Sequence, residues 1–155
     1  MVIVVAKGNP KRIASIEDLA REGTRVGLAH PEKSALGHLT RETLKQAGVL
    51  EQIKIADTQV QDAPQGDFLI NALRTGALDA AIVYLSNTAN SRDEIDVIAI
   101  DSPLAYSQQP YAVANSSAYP QTMARLRDAL KSEEGRQRFE ELGFDWHGST
   151  EVSSP

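Results

Sequence analysis

The sequence predicts an α/β fold, and three observations predict it. Short β-branched or apolar runs alternate with stretches of helical periodicity. Gly, Pro and Ser punctuate the joins between them. The composition, 41% hydrophobic and 24% charged over 155 residues, suits a chain that folds around one ordinary core.

Val2 to Ala6 is a continuous apolar run, as expected of a buried strand, and Lys7-Gly8-Asn9-Pro10 ends it. Ser15-Ile16-Glu17-Asp18 has the form of a capping box, with Asp18 able to reach back to a free N–H of a short helix that ends near Gly23. Arg25 to Ala29 reads as a second strand. After the His30-Pro31 turn, Ser34 precedes a helix whose Leu36, Leu39, Thr43, Leu44 and Ala47 share a face, and Gly48 stops it. Ile53 to Ala56 is expected to be a third strand, followed by a polar loop from Asp57 to Gly66. A helix over Asp67 to Thr75 buries Phe68, Leu69, Ala72 and Leu73 and ends at Gly76. Ala80 to Tyr84 and Asp96 to Ile100 read as strands, and Pro110 to Ala114 as another. Pro120 suits the first turn of a helix carrying Met123, Leu126 and Leu130. Ser132 caps a last helix, with Glu133 and Glu134 complementing its dipole, before Gly143.

Such an alternation favours a mostly parallel sheet with helices on both faces. Ligands bind such sheets beyond the carboxyl ends of the strands, here at Pro31 to Gly37, Pro64 to Asp67 and Tyr84 to Asn87.

Several function classes are disfavoured. The net charge is −5 without a Lys/Arg cluster, which argues against nucleic acid in this segment. There is no cysteine, hence no disulfide, thiolate metal site or Cys nucleophile. His30, His38 and His147 do not pair at metal-ligand spacing, and the Asp57, Asp62, Asp67 series lacks the Gly and Glu of a calcium loop. No Gly-x-Ser-x-Gly elbow, Gly-rich phosphate loop or nucleophile–base–orienter set is found, so no catalytic residue, metal or cofactor is expected and the chain is not read as an enzyme. No apolar run reaches the length of a membrane span, and no signal peptide is visible.

Four stretches carry a resemblance: Val4-Val5-Ala6-Lys7-Gly8-Asn9-Pro10, Ser15 to Leu19, Val26 to Glu32, and Leu73-Arg74-Thr75-Gly76-Ala77-Leu78-Asp79-Ala80-Ala81-Ile82-Val83-Tyr84. With the closing Glu140-Glu141-Leu142-Gly143-Phe144 they resemble, in order, the periplasmic molybdate/tungstate-binding proteins of ABC importers. The resemblance covers roughly positions 2 to 146 and implies a type II periplasmic-binding-protein-like lobe, mostly parallel, in an incomplete bilobal protein. Residues 1–105 would form the second, ligand-binding lobe, 106–150 a returning strand and helices belonging to the first lobe, and 151–155 a polar tail. The start of the first lobe, with any signal peptide, is expected upstream of Met1.

The resemblance also implies a site. Family members hold a tetrahedral oxyanion with backbone N–H groups, serine hydroxyls and one tyrosine hydroxyl. The helix start at Ser34-Ala35-Leu36 matches one N–H donor, with Ala35-Leu36 where the family has Pro-Ala, and Gly66-Asp67 matches a second. Tyr84 matches the tyrosine of an Ile-Val-Tyr strand end. Asp67 departs from the pattern: its carboxylate repels an anion unless it points away, or else ligates the anion's metal centre directly. For each helix start the alternative is ordinary capping, and for Tyr84 a core tyrosine with a local partner.

The function implied is capture of a small oxyanion, molybdate or tungstate, for an ABC importer permease outside the cytoplasm. The alternatives are a cytoplasmic effector domain of a transcriptional regulator that senses an oxyanion or small molecule, and a ligand-free scaffold. The C-terminal helices carry Met123, Leu126, Leu130, Phe139, Leu142, Phe144 and Trp146, which must be covered by folding back on the strands near Val2–Ala6 and Tyr111–Ala114 or by a second copy in a homodimer.

Overall fold

A computed structural model describes residues 1–55 and 61–146. The chain divides into two compact units, Met1–Gln108 and Gln109–Pro155.

The first unit is built on a five-stranded sheet: β1 (Val2–Ala6), β2 (Val26–Ala29), β3 (Gln61–Ala63), β4 (Ala80–Val83) and β5 (Ile95–Ala99), in the order β3-β2-β4-β1-β5. β2 runs parallel to β3 and β4, while β1 lies antiparallel between β4 and β5. Four of the five strands therefore point the same way, and β1 is the exception.

Alternation splits the core between two faces. Ile3, Val5, Val26, Leu28, Ala80 and Ile82 face α1 (Ala35–Gln46) and α2 (Leu50–Ile55) through Leu44 and Ile53, with Val49 from the turn between the helices. Val2, Val4, Ala81 and Val83 face α3 (Gly66–Arg74) through Leu69, Ile70 and Leu73. Gly27 has no side chain for a reason of space: a Cβ there would stand 2.8 Å from Leu69 Cδ2 and collide with Leu78.

Four expectations need correction. Ile53 is helical, in α2, and not in a strand. Val49 and Ile53, four residues apart, face the same core cluster, and four apolar residues cannot distinguish a helical turn from a strand. Ala56 lies outside the described residues, as do Asp57 and His147. The third strand falls instead at Gln61–Ala63, inside the expected loop, because its pairing with β2 is non-local. Phe68 is 58% exposed, and Ile70 takes its place in the stripe of α3, since 66, 69, 70 and 73 form the inward face. Residues 110–114 form no strand: the segment has no ladder partner among the described residues, and Tyr111 and Ala112 are exposed.

The Ser15 box is half realised. Asp18 Oδ2 accepts from the N–H groups of Ala14 (2.7 Å) and Ser15 (3.2 Å), but the helix is a single 3₁₀ turn, Glu17–Ala20, with Ile16 at its cap.

The second unit holds α4 (Pro120–Lys131) and α5 (Glu133–Glu141). Pro120 opens α4, and Ser132 Oγ accepts from Gly135 N–H at 3.1 Å to cap α5. Phe139 meets Phe144 edge-on at 5.5 Å and Trp146 at 5.6 Å. Neither helix buries any residue fully. No helix among the described residues is long and apolar enough to cross a membrane.

Candidate functional site

Three strands end level with one another. Ala29 pairs with Ala63, and Gly27 with Ala81, so the connections after β2, β3 and β4 leave the sheet side by side at its carboxyl edge. This edge is where partial charges and open space favour ligands in α/β sheets.

After β2 the chain turns sharply. His30 N–H donates to Ala63 O at 2.8 Å, and Ser34 N–H to His30 O at 3.1 Å. α1 then starts so close to the end of β2 that a Cβ on Gly37 would lie 2.6 Å from Ala29 O and nearer still to His30 O. Ser34 occupies the cap position with extended backbone, yet its hydroxyl makes no capping hydrogen bond. The first-turn N–H groups are therefore not satisfied by the side chain that ordinarily does so. Ala35 is exposed, and Leu36 turns its side chain into the core. With apolar side chains, this pair can offer a hydrogen bond only through its backbone N–H groups.

After β3, Gln65 caps α3, again without a side-chain bond. Gly66 is buried and Asp67 exposed. After β4, the Tyr84 hydroxyl is enclosed and has no hydrogen-bond partner among the described residues. An enclosed hydroxyl without a partner loses its bonds to water and gains none, so it is a feature that requires explanation.

Asn87, which the sequence placed only at the end of the candidate stretch Tyr84 to Asn87, joins the last two connections. Its Oδ1 accepts from Tyr84 N–H at 3.1 Å, and its Nδ2 donates to Asp67 Oδ1 at 2.9 Å. Its own N–H closes the turn on Tyr84 O at 3.0 Å. A Cβ on Gly66 would stand 2.6 Å from Asn87 Oδ1, so the amide rests against a bare Cα. Gly66, Asp67 and Tyr84 are thus tied together through Asn87. The available signal was an Asn three residues past a strand end, where such side chains bond back to the main chain.

The Asp67 carboxylate lies at a polar cleft of about 360 Å³ with Ile70, Asn71, Ser86, Asn87, Asn90 and Ser91. Ser34, Ala35, Leu36 and Tyr84 do not line that cleft. Among the described residues no cluster of His, Asp and Glu could hold a metal ion. An ion pair lies at the opposite edge: Arg25, at the amino end of β2, holds the Asp79 carboxyl below the ordinary carboxylate range by hydrogen bonding and charge.

Residues 1–145 match the family described as bacterial extracellular solute-binding proteins, and the chain belongs to that family. It is 26% identical over 145 residues to the molybdate-binding protein ModA of Mycobacterium bovis, covering 93% of this chain and 53% of that protein. The fold is similar to the periplasmic molybdate-binding protein of Azotobacter vinelandii (TM-score 0.73, 14% identity, 95% of this chain and 65% of that one). It is also similar to the sulfate-binding protein SubI of Mycobacterium tuberculosis (TM-score 0.65, 18% identity, 92% and 54%). The chain spans about half the length of the ModA protein it matches.

Proposed function

We propose that the chain is the oxyanion-binding part of a solute-binding protein that serves an ABC importer outside the cytoplasm, with molybdate or tungstate as ligand. The observation that carries this reading is the enclosed Tyr84 hydroxyl at the end of β4, which has no partner among the described residues. The helices that follow β2 and β3, α1 and α3, start without side-chain caps. A hydroxyl and two helix N-termini form a donor set, and a fully deprotonated tetrahedral anion only accepts hydrogen bonds. On this reading the N–H groups of Ala35, Leu36, Gly66 and Asp67 and the Ser34 hydroxyl converge with Tyr84 Oη on the anion, the Ser34 N–H being held by His30 O. The similarity to a molybdate-binding protein supports the choice of ligand. Capture and release require no bond to be made or broken, so the site does binding and no catalysis.

Calorimetry on the natural gene product that contains this chain tests the reading, with molybdate, tungstate, sulfate and phosphate as ligands. Binding of at least one of the first two, tighter than phosphate, is expected. Heat from none of the four anions would end the oxyanion reading.

A further inference from the structure

From the placement of Asn87 we infer that this residue is a positioning residue for the anion: it holds the Asp67 carboxylate away from the first turn of α3, so that the N–H groups there stay open to ligand. The inference rests on the oxyanion reading and deepens it.

An aspartate in the first helical turn has two ways to defeat an anion site. It can fold back and bond the free N–H groups itself, as acidic side chains at helix starts commonly do. It can also repel the incoming anion across one helical turn. Asp67 stands at the second residue of α3, close to the donors that the anion would use. Its Oδ1 is instead held by Asn87 Nδ2, and the carboxylate faces the polar cleft beside Asn71, Ser86 and Ser91. The amide cannot turn over without loss, because its Oδ1 is needed by Tyr84 N–H and its Nδ2 by the carboxylate. Gly66 makes this contact possible, since any side chain there would occupy the place of the amide. Asn87 thus reads the position of Tyr84 at one end and sets that of Asp67 at the other. Aspartate at position 87 could serve Tyr84 equally well, but it would push the Asp67 carboxylate away.

The test is a set of variants of the natural gene product, each checked by thermal melting and titrated with molybdate and tungstate. N87A is expected to weaken binding about tenfold, or 1.4 kcal/mol. N87D, which keeps the bond to Tyr84, is expected to weaken it further. D67N removes the charge, and in that background N87A should cost less than threefold. A purely structural role for Asn87 would not be rescued in this way. If N87A binds as the unaltered protein does, or loses equally with and without D67N, this inference fails and the oxyanion reading stands. If D67N alone costs more than N87A, the carboxylate is itself a ligand and the inference is overturned. If the unaltered protein binds neither anion, the oxyanion reading falls and takes this inference with it.

Discussion

Arg25 and Asp79 clasp the amino ends of β2 and β4 at three points. Arg25 Nη2 donates to Asp79 Oδ1 at 2.8 Å, Nε to Oδ2 at 3.1 Å, and the Arg25 main-chain N–H to Oδ2 at 2.9 Å. The main chain answers, with Asp79 N–H donating to Arg25 O at 2.9 Å. The Asp79 side chain is only 11% exposed but that of Arg25 is 42% exposed, so water screens the pair in part. Because the folded carboxyl is held below its ordinary range, its contribution is complete above the unfolded value of about 3.9 and is lost as pH falls from there through the folded value. D79N is expected to cost about 1–2 kcal/mol at pH 7, and progressively less as pH falls below about 3.9. Urea unfolding of both proteins across that range isolates Asp79 from Glu17, Asp18 and Asp96, which are lowered too.

Y84F separates binding from folding. Among the described residues the hydroxyl has no partner to lose, so the melting temperature should stay level or rise. Anion affinity should fall by about tenfold, the worth of one hydrogen bond to a charged group. Calorimetry beside thermal melting checks this; a large loss of stability would mean that Tyr84 is a core residue and not a ligand.

The two cap serines should behave differently. Ser132 bonds Gly135 N–H, so S132A should cost about 1 kcal/mol of stability. Ser34 caps nothing with its side chain, so S34A should cost under about 0.5 kcal/mol. Denaturation followed by far-ultraviolet circular dichroism distinguishes them.

G37A places a methyl group against the carbonyl oxygens of Ala29 and His30, which are backbone and cannot turn aside. We expect a loss of about 2–3 kcal/mol and displacement of the α1 start, with weaker anion binding in consequence. A chemical-denaturation midpoint equal to that of the unaltered protein would show that α1 can move without cost.

The 155-residue chain by itself should self-associate. In α4 and the segment after α5, Met123, Leu130, Phe144 and Trp146 remain partly open to water, and Leu126 is 44% exposed. Apolar surface of this kind commonly pairs with a second copy. Light scattering over a concentration series should give a mass that rises with concentration, and L126E should lower it.

Much of the architecture was legible because its signals are local. A β-branched run, a stop at Gly48 or Gly76, Pro120 in a first turn and Ser132 before two glutamates each act through neighbours along the chain. So β1, β2, β4, β5, α1, α3, α4 and α5 all fall where the residues place them. The resemblance pointed to Tyr84 and to the two helix starts as the place to look.

What only the tertiary structure decided depends on residues far apart in sequence. The antiparallel seat of β1 between β4 and β5 follows from pairings such as Val4 with Ala81 and with Val97, which no local pattern encodes. Gln61–Ala63 became a strand because β2 offered it an edge, and 110–114 pairs with no strand among the described residues. Ile53 could close a helical turn or a ladder, and the core cluster shared with Val49 selected the turn. Asn87 is the sharpest case. In sequence it is one more polar residue after a strand. Only folding brings its amide between the end of β4 and an aspartate twenty positions earlier, because a side-chain hydrogen bond depends on distance in space and not on distance along the chain.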